Sequence, residues 1–511
     1  MANKSKKEQF FDLIDNVILS MVDLYTIKGS GYVVVPENPT QIYSIDSTFF
    51  SGWLQWFFVD YGNKNNKRHV ITSTLLKEIL DYIKAKAAYL KQETDYNLRT
   101  ARLNGTFYYD IGDGKTLLKI ENGEVEIINP EKSPVLFLGN NNSYAAQVIP
   151  DLDNSSIKDI NLLDKYLNIK TDRDRVILLA YIISLLDPSI NKYCPYIYGV
   201  QGSAKSTTLK LIRSLIDPAN TRKSDYSRDA KLELFKSSIE DIARIMASNY
   251  CCFFDNLSYM KKETSDNFAS IITGADPSFR KYYTNMESIV IDKNPCFAFT
   301  GINIAVTNAD LLQRSLLIEV ERIPQNKYVK DSNFWNNFHS DKPKIFGAIV
   351  KIFAMASKKR FLSDKKLELP RMADHAELMA FIAQVMGYDN EVFISCINDN
   401  TNEQNENAVN FSVVGRTIKD FIKGLVMDWE GSATQLYDEL VKSLPEHTKV
   451  GNKYSNFPDS VEKMGKQINL IIGNLNDLGY YLEKTRDMDG TKYILGAKTK
   501  IKDEEDYGLP I

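Results

Sequence analysis

The sequence predicts an α/β protein centred on a parallel sheet with crossover helices. Between residues 151 and 325, apolar runs of strand length alternate with stretches of helical periodicity, which is typical of such sheets. Upstream, helices and short strands predict an α+β region, and downstream a helix-rich stretch precedes a helix–turn–helix–strand–strand order. The predicted domains are an accessory N-terminal domain, the sheet core, a helical lid and a C-terminal domain, over residues 1–150, 151–325, 326–425 and 426–511.

The N-terminal region combines helices with a β-meander. It opens on an amphipathic pattern, followed by the strand-like runs YVVV and QIYSI. A periodic helix is expected from Ser73, which we also expect to be its cap. The meander is GTFYYDIGDGKTLLKIENGEVEIINP, with Asn-Gly and Gly-Asp-Gly turn signals. Asp110 and Asp113 stand near a turn; metal ligation is one interpretation, and turn chemistry is the preferred one.

The two C-terminal regions are predicted to be mostly helical. In the third region, the polar segment NDNTNEQNENA is interpreted as a loop with a mobile tip. In the fourth, two helices precede the strands YYLEKTR and TKYILGA, with the tip of their hairpin at residues 487–490. This order is typical of a winged helix.

Composition limits the possible partners. Apolar residues make up 43% and charged residues 25% of the 511, so a large globular core is expected. With a net charge of −3, any nucleic-acid contact must come from local basic clusters. Five scattered cysteines and four scattered histidines predict reduced core thiols and no zinc site. The longest apolar run is shorter than a membrane span and no targeting segment stands out, so we expect a cytoplasmic protein without a membrane partner.

The stretch YGVQGSAKSTTLK resembles a phosphate-binding loop, G-x-x-x-x-G-K-[ST]. It follows the apolar run CPYIYG and precedes residues with helical spacing, so it is expected between a strand and a helix N-terminus, where phosphate binding is favoured. Gly199 and Gly202 permit the tight turn. Lys205 would reach the β- and γ-phosphates, and the Ser206 hydroxyl would hold Mg²⁺.

Ala204 stands where this motif normally has glycine. If the position requires a positive φ, alanine costs about 1–2 kcal/mol; if φ is negative, the methyl group needs only space. Either cost is small beside the binding of a multiply charged nucleotide. The alternative interpretation is a Gly/Ser-rich turn that happens to contain a lysine.

A second element supports the nucleotide interpretation. The apolar run NYCCFFDNLS ends in Asp255, which would hold the Mg²⁺ shell as a Walker B acid does. Asn256 follows, where many such ATPases place a glutamate; an amide can orient water but cannot take its proton. The alternative is a core strand that ends in an aspartate.

Two further residues are placed by the ends of strands. Asn303 ends the run PCFAFTGIN, and ligands collect at the carboxyl ends of parallel strands, so it is a candidate for the γ-phosphate or the water. Arg314 lies between a short helical stretch and an apolar strand, where an arginine finger supplied to a neighbouring subunit would sit. The alternative for Arg314 is an ordinary surface ion pair.

Taken together, the segments GVQGSAKS, FFDNLS, ITGADPSFRKYYT, FTGIN and DLLQRSLLIEV resemble the AAA+ helicase-like P-loop ATPases of phages, plasmids and integrated mobile elements. These are related to superfamily 3 and to the self-loading replicative helicases of staphylococcal islands. NLRTARLNGTFYYDIGDGKTLLKI and LPRMADHAELMAFI are also similar to that family. The resemblance covers residues 95–380 well and the predicted winged helix less well, and it does not extend to the first 90 residues.

The resemblance implies roles for the candidate residues. It implies an AAA+ core that binds ATP at residues 199–207, Mg²⁺ at Ser206 and Asp255, a polar sensor at Asn303, and Arg314 acting in trans. It implies that Arg371, in LPRMADH, reaches the nucleotide from the helical lid; the alternative is pairing with a nearby acid. The predicted nucleotide-binding set is Gly199, Gly202, Ser203, Ala204, Lys205, Ser206 and Thr207.

Two clusters are candidates for DNA contact. The resemblance directs attention to FRKYYTNMESIVI as a pore hairpin, in which Arg280, Lys281 and Tyr282 combine charge with stacking; an amphipathic hairpin is the alternative. In the predicted winged helix the candidates for phosphate contact are Lys463, Lys466, Lys484 and Arg486. Winged helices also bind proteins, and neighbouring acids dilute this charge.

The functional hypothesis is an ATP-driven DNA helicase or translocase that works as a ring, expected to be a hexamer, in the replication of a mobile element, plasmid or virus. The alternative is an origin-binding initiator switched by ATP, with slow turnover and little unwinding. A fused primase is disfavoured because the first 150 residues show no convincing pair of metal-binding acids.

Overall fold

The structure is a computed structural model. The residues that it describes are 6–65, 71–139, 144–222, 225–235, 238–274, 294–302, 309–364, 366–444, 457–487 and 490–497.

The N-terminal part packs four helices against a small sheet. Its elements are α1 (Lys6–Leu13), a π-helical turn (Ile14–Ile18), α2 (Leu19–Met21), β1 (Asp23–Ile27), β2 (Ser30–Val34), β3 (Gln41–Ser44), α3 (Thr48–Lys64) and α4 (Ser73–Leu90). Strands β1, β2 and β3 are antiparallel neighbours, and β8 (Phe137–Leu138) joins β3 in parallel. The helix predicted from Ser73 is confirmed, but its cap is Thr72, whose side chain accepts from Leu75 N.

The predicted meander is confirmed as an antiparallel sheet. Its strands are β4 (Thr100–Leu103), β5 (Thr106–Asp110), β6 (Leu117–Glu121) and β7 (Glu124–Ile128), paired in that order. Asp110 accepts from Gly112 N, and Asp113 accepts from the backbone N–H groups of residues 115 and 116. Turn chemistry therefore accounts for Asp113 and in part for Asp110. Within the described residues, no group of three or more His, Cys, Asp or Glu side chains could hold a metal ion.

A five-stranded parallel sheet forms the centre of the molecule. After a 3₁₀ helix (Ile157–Lys165), the elements are α5 (Asp172–Ser184), β9 (Cys194–Tyr198), α6 (Lys205–Ile216), β10 (Glu233–Leu234), α7 (Ile239–Met246), β11 (Cys251–Asp255), α8 (Lys262–Ile272), β12 (Cys296–Gly301), α9 (Ala309–Leu312) and β13 (Ser315–Glu319). The order in the sheet is β10-β11-β12-β9-β13, and every pairing is parallel. Strand β9 thus lies between β12 and β13, where the strand order reverses, and ligands of open α/β sheets bind at such a point.

The region predicted to be mostly helical is confirmed and is more regular than predicted. It contains a 3₁₀ turn (Gln325–Lys327), α10 (Asp331–Leu362), α11 (Ala373–Val385), α12 (Asn390–Phe411) and α13 (Val413–Lys423). The segment NDNTNEQNENA, predicted to be a loop, lies inside α12, so that prediction is wrong.

The physical reason is that α12 uses its amides to satisfy an edge strand. Asn400 accepts from Leu317 N (2.9 Å) and donates to Leu317 O (2.7 Å), and Gln404 donates to Ser315 O (2.8 Å). An edge strand leaves backbone groups unpaired, and covering them prevents pairing with another chain. Asn400 and Gln404 are therefore buried hydrogen-bond partners of β13, and this segment is helical instead of a solvated loop.

The C-terminal part combines helices with a three-stranded antiparallel sheet. Its elements are β14 (Trp429–Ser432), α14 (Ala433–Ser443), α15 (Val461–Asp477), β15 (Tyr480–Asp487) and β16 (Gly490–Ala497), with the sheet order β14-β16-β15. The two helices and the hairpin follow the predicted order, and β14 is an additional strand. In the part of the chain that the structure describes, no helix is long and apolar enough to cross a membrane.

A buried arginine joins the meander to the central sheet. Arg99 is fully buried and donates to Asp217 Oδ1 (3.1 Å) and to the carbonyl oxygens of residues 110, 145 and 218. Its guanidinium group also stacks 3.7 Å from the ring centroid of Tyr144. Asp217 follows the last residue of α6 and also pairs with Arg213. Burial alone would raise the pKa of Asp217, but Arg213 and Arg99 outweigh it and lower that pKa.

Candidate functional site

The loop between β9 and α6 lies at the carboxyl edge of the parallel sheet. Gly199 adopts φ +155°, and a Cβ atom there would meet Val320 O at 2.3 Å. Gly202 has φ +79°, and the buried Ser203 closes the turn by donating to Val200 O (2.8 Å). Both glycines are therefore required by geometry, and the predicted strand–loop–helix arrangement is confirmed.

Ala204 has the left-handed backbone that the motif's usual glycine would supply. Its φ is +64° and its ψ is 24°, immediately before the first residue of α6. Its carbonyl accepts from Thr208 N at 2.9 Å, so the strained residue also begins the helix. Of the two possibilities for Ala204, the structure shows the costly one.

Replacing Ala204 by glycine should raise the free energy of unfolding by up to about 1 kcal/mol. The left-handed backbone costs alanine about 1–2 kcal/mol, and the greater freedom of glycine in the unfolded chain offsets about 0.5–1 kcal/mol of that gain. Urea unfolding checks this, with Ala85→Gly in the exposed face of α4 as the matched control, which should lose about 1 kcal/mol. A loss of stability in both variants would contradict the strain assigned to Ala204.

Lys205 directs its ammonium group back onto the loop. Its Nζ donates to Gly199 O and to Val200 O, each at 2.8 Å. Partial burial lowers the pKa of Lys205, and the charge of Asp255 opposes that shift. The loop thus holds a cation where the motif requires one.

The two predicted magnesium ligands come together although 49 positions separate them in the chain. Ser206 Oγ donates to Asp255 Oδ1 at 2.7 Å, from the first turn of α6 to the end of β11. A hydroxyl and a carboxylate are hard oxygen donors, which Mg²⁺ prefers. The pair fits a magnesium ion bound beside a phosphate, and Gly199, Gly202 and Lys205 fit the phosphate itself.

Sequence reasoning missed Thr300, on the neighbouring strand β12. Its Oγ1 donates to Asp255 Oδ1 at 2.5 Å and accepts from Asn256 N at 2.9 Å. Asn256 itself is exposed, with a left-handed backbone of φ +59°. The available signal was a threonine in the run CFAFTG, on the strand that neighbours the one ending in Asp255.

Arg314 lies at the opposite edge of the sheet from the loop. Arg314 directly precedes β13, and β13 pairs with β9 from Cys194 to Tyr198. The carbonyl of Arg314 accepts from Cys194 N, at the first residue of β9. The five-residue strand separates the two edges by roughly 16 Å. The side chain of Arg314 is 9% exposed and pairs with Asp310. Its predicted role in trans stays a prediction, and the position places it far from the loop of its own chain.

Arg371 contacts the same aspartate. Its Nη2 lies 2.7 Å from Asp310 Oδ1, and its Nη1 donates to Gln313 Oε1. The prediction had Arg371 reaching the nucleotide from the helical lid, with pairing to a nearby acid as the alternative. The structure instead places it beside Arg314, away from the loop, because Asp310 pairs with both guanidinium groups.

The remaining candidates are partly beyond what the structure describes. Arg280, Lys281, Tyr282 and Asn303 lie outside the described residues. The four C-terminal cations are exposed on α15 and β15. Their side-chain contacts are Lys463 with Asp459 at 2.8 Å, Lys466 with Glu462 at 2.7 Å, and Lys484 with Asn469 at 3.1 Å. Surface pairs of this kind contribute little free energy, so they leave the cations available to other anions.

Residues 160–403 match the family described as "Actinomycete integrative conjugative element replication protein". The matched range is just under half of the chain and contains the whole parallel sheet with Lys205, Ser206, Asp255 and Arg314. The similarity supports a replication protein of a mobile element.

Two solved structures of the apo NrS-1 C terminal region are also similar. They share 9% identity with this chain at TM-scores of 0.40 and 0.37, and each comparison covers 95% of this chain and 98% of that chain. At such scores they support no conclusion about fold or activity. No curated protein matches the sequence.

Proposed function

We propose that the chain is an ATP-dependent DNA helicase or translocase that acts as a ring in the replication of a mobile element. The observation that carries the proposal is the convergence of Lys205, Ser206 and Asp255 at the carboxyl edge of the sheet, where the strand order reverses. The match to a replication family supports the biological setting. The AAA+ class of the core and the winged-helix class of the C-terminal part belong to the same proposal.

In this proposal the loop holds ATP and Mg²⁺. Lys205 would neutralise phosphate charge, and Ser206 with Asp255 would hold the magnesium ion. When bound, magnesium supplies charge neutralisation for phosphoryl transfer. Asn256 is exposed beside Asp255 and has an amide that can orient water without taking its proton.

The position of Arg314 supports the ring in this proposal. An arginine finger acts on a phosphoryl group, and Arg314 lies at the sheet edge opposite to its own loop. Only the loop of a neighbouring copy is then available to it. The number of six subunits rests on the resemblance to AAA+ helicases. Arg371 shares Asp310 with Arg314 and would be presented to the same neighbour.

DNA would be contacted at two places. The pore candidates Arg280, Lys281 and Tyr282 supply charge and stacking in sequence. The exposed cations of α15 and β15 would contact phosphates, and such contacts fix position without reading sequence.

The alternative is a nucleotide-switched initiator that binds an origin and unwinds little. Two observations favour it: the strained Ala204 in the loop and an asparagine in place of the usual glutamate at residue 256. Either would slow hydrolysis without preventing nucleotide binding.

A forked-duplex assay separates the two functions. The helicase proposal predicts strand separation that requires ATP and Mg²⁺ and stops with a non-hydrolysable analogue. The initiator predicts origin retention with ATP and no strand separation. Alongside this assay, the mass of the oligomer is measured with and without ATP and single-stranded DNA. A chain that binds neither nucleotide nor DNA would overturn both functions.

A further inference from the structure

The Thr300 hydroxyl both donates and accepts a hydrogen bond at the end of β11, the strand that ends in Asp255. The side chain lies on β12, which pairs with β11, and the residue is buried. Its hydroxyl hydrogen goes to Asp255 Oδ1 at 2.5 Å, and its lone pair accepts from Asn256 N at 2.9 Å. One buried hydroxyl thus contacts the proposed magnesium ligand and the residue that follows it.

The backbone of Thr300 holds the next residue as well. Leu257 N donates to Thr300 O at 2.7 Å. Thr300 therefore contacts three consecutive residues after the buried part of β11. The middle one, Asn256, adopts φ +59°, a conformation that costs non-glycine residues free energy and persists where the surroundings hold it.

Asp255 Oδ1 receives two hydroxyl donors. Ser206 Oγ donates to it at 2.7 Å from α6 while Thr300 donates from β12. Two donors from different elements on one oxygen restrict the rotation of the carboxylate, as hydrogen-bond partners behind a metal ligand do. The carboxylate is thereby aligned with the first turn of the helix after the loop.

We propose that Thr300 is a positioning residue of this site: it orients the Asp255 carboxylate toward Ser206 and holds Asn256 in its left-handed conformation. The inference rests on the proposed ATP site. Thr300 does not touch nucleotide or magnesium in this role; it acts through Asp255 and Asn256.

The hydroxyl is the group that the role requires. Valine has nearly the same shape as threonine but can neither donate to Asp255 nor accept from Asn256 N. Serine retains both capacities and loses only a methyl group. Thr300→Val should therefore disturb the site, and Thr300→Ser should preserve it.

The test compares these two variants with Thr116→Val. Thr116 is also a buried threonine whose hydroxyl donates to an aspartate, Asp113, at 2.7 Å, but it lies in the β-meander. For Thr300→Val we expect kcat for ATP and Mg²⁺-dependent affinity for a fluorescent ADP analogue to fall about 10- to 100-fold. Amide hydrogen exchange at Asn256 should become faster in the same variant. Thr300→Ser and Thr116→Val should stay within about threefold of wild type in kcat and affinity.

Several results would overturn the inference. They are wild-type behaviour of Thr300→Val, an equal loss in Thr300→Ser, or an equal loss in Thr116→Val, which would indicate general destabilisation. If the wild-type protein does not hydrolyse ATP, the proposed function fails, and Mg²⁺-dependent nucleotide affinity and exchange at Asn256 still decide whether Thr300 positions Asp255. If the wild type binds no nucleotide, the inference fails with the proposed function.

Discussion

Replacing Arg314 by alanine should lower the rate of ATP hydrolysis by about 10³-fold in the assembled protein. An arginine finger neutralises charge that develops on the transferring phosphoryl group, and alanine removes that positive charge. Nucleotide binding to the isolated chain should not change, because Arg314 lies at the sheet edge opposite to its own loop. Steady-state hydrolysis and equilibrium nucleotide binding measure the two quantities separately.

Mixing inactive subunits tests whether the site is shared. Lys205→Ala should abolish ATP turnover by removing the cation of the loop. Arg314→Ala should nearly abolish it by removing the arginine that acts on the loop of the neighbouring subunit. A mixture of the two should regain activity, because some interfaces then combine an intact loop with an intact Arg314. No recovery on mixing would contradict a shared site, and wild-type turnover by Lys205→Ala would show that the loop is misassigned.

Two controls keep that result interpretable. Arg314 pairs with Asp310, so Arg314→Ala must first be shown to unfold at the same temperature as wild type, and Arg314→Lys provides a charged substitute. Arg244→Ala removes an exposed arginine from α7, where the side chain is 74% exposed, and should leave hydrolysis unchanged.

Replacing Arg99 by alanine should destabilise the protein by about 3–5 kcal/mol. Removing one partner of a buried ion pair leaves Asp217 with Arg213 as its remaining charged partner, and it takes one donor away from each of three carbonyl oxygens. Because Asp217 also accepts from Cys251 N at the start of β11, the loss extends into the central sheet. The midpoint of the first unfolding transition, followed by circular dichroism and calorimetry, measures the effect.

Arg102→Ala is the matched control for Arg99. Arg102 lies on β4, three residues further along, and is exposed, with one hydrogen bond to Ser189 Oγ at 2.9 Å. Its loss should cost less than about 1 kcal/mol, as surface changes usually do. Equal effects of the two substitutions would mean that Arg99 does not connect the meander to the sheet.

Much of the core was predictable from local sequence signals. Strand, loop and helix around Lys205 follow from an apolar run, two glycines and a helical period, and Asp255 was placed by the end of the next apolar run. The structure then brings Ser206 and Asp255 to 2.7 Å, which parallel strands with adjacent carboxyl ends predict.

The errors have tertiary causes. The segment NDNTNEQNENA was predicted to be a loop because its hydrogen-bond partners are distant in the chain. Asn400 and Gln404 bond backbone groups of β13 that are 83 and 89 positions away. Thr300 lies in the quoted segment FTGIN but was given no role there, because only the register of β12 against β11 places its hydroxyl on Asp255. Arg371 was assigned to the nucleotide by resemblance; in the structure it pairs with Asp310, an acid that is 61 positions away in the chain, so no local signal in the sequence predicts this pair.

Because the loop and Arg314 lie at opposite edges of the sheet, each copy has two different contact edges in the proposed assembly. In a head-to-tail contact the loop of one copy meets Arg314 of the next, and such contacts close into a ring or extend as an open row. An open row of n copies then has n − 1 complete sites, while a closed ring has n. If the site is shared in this way, closing the ring adds one more active interface without any new residue. A single copy bound to DNA would not hydrolyse ATP until neighbouring copies bind beside it.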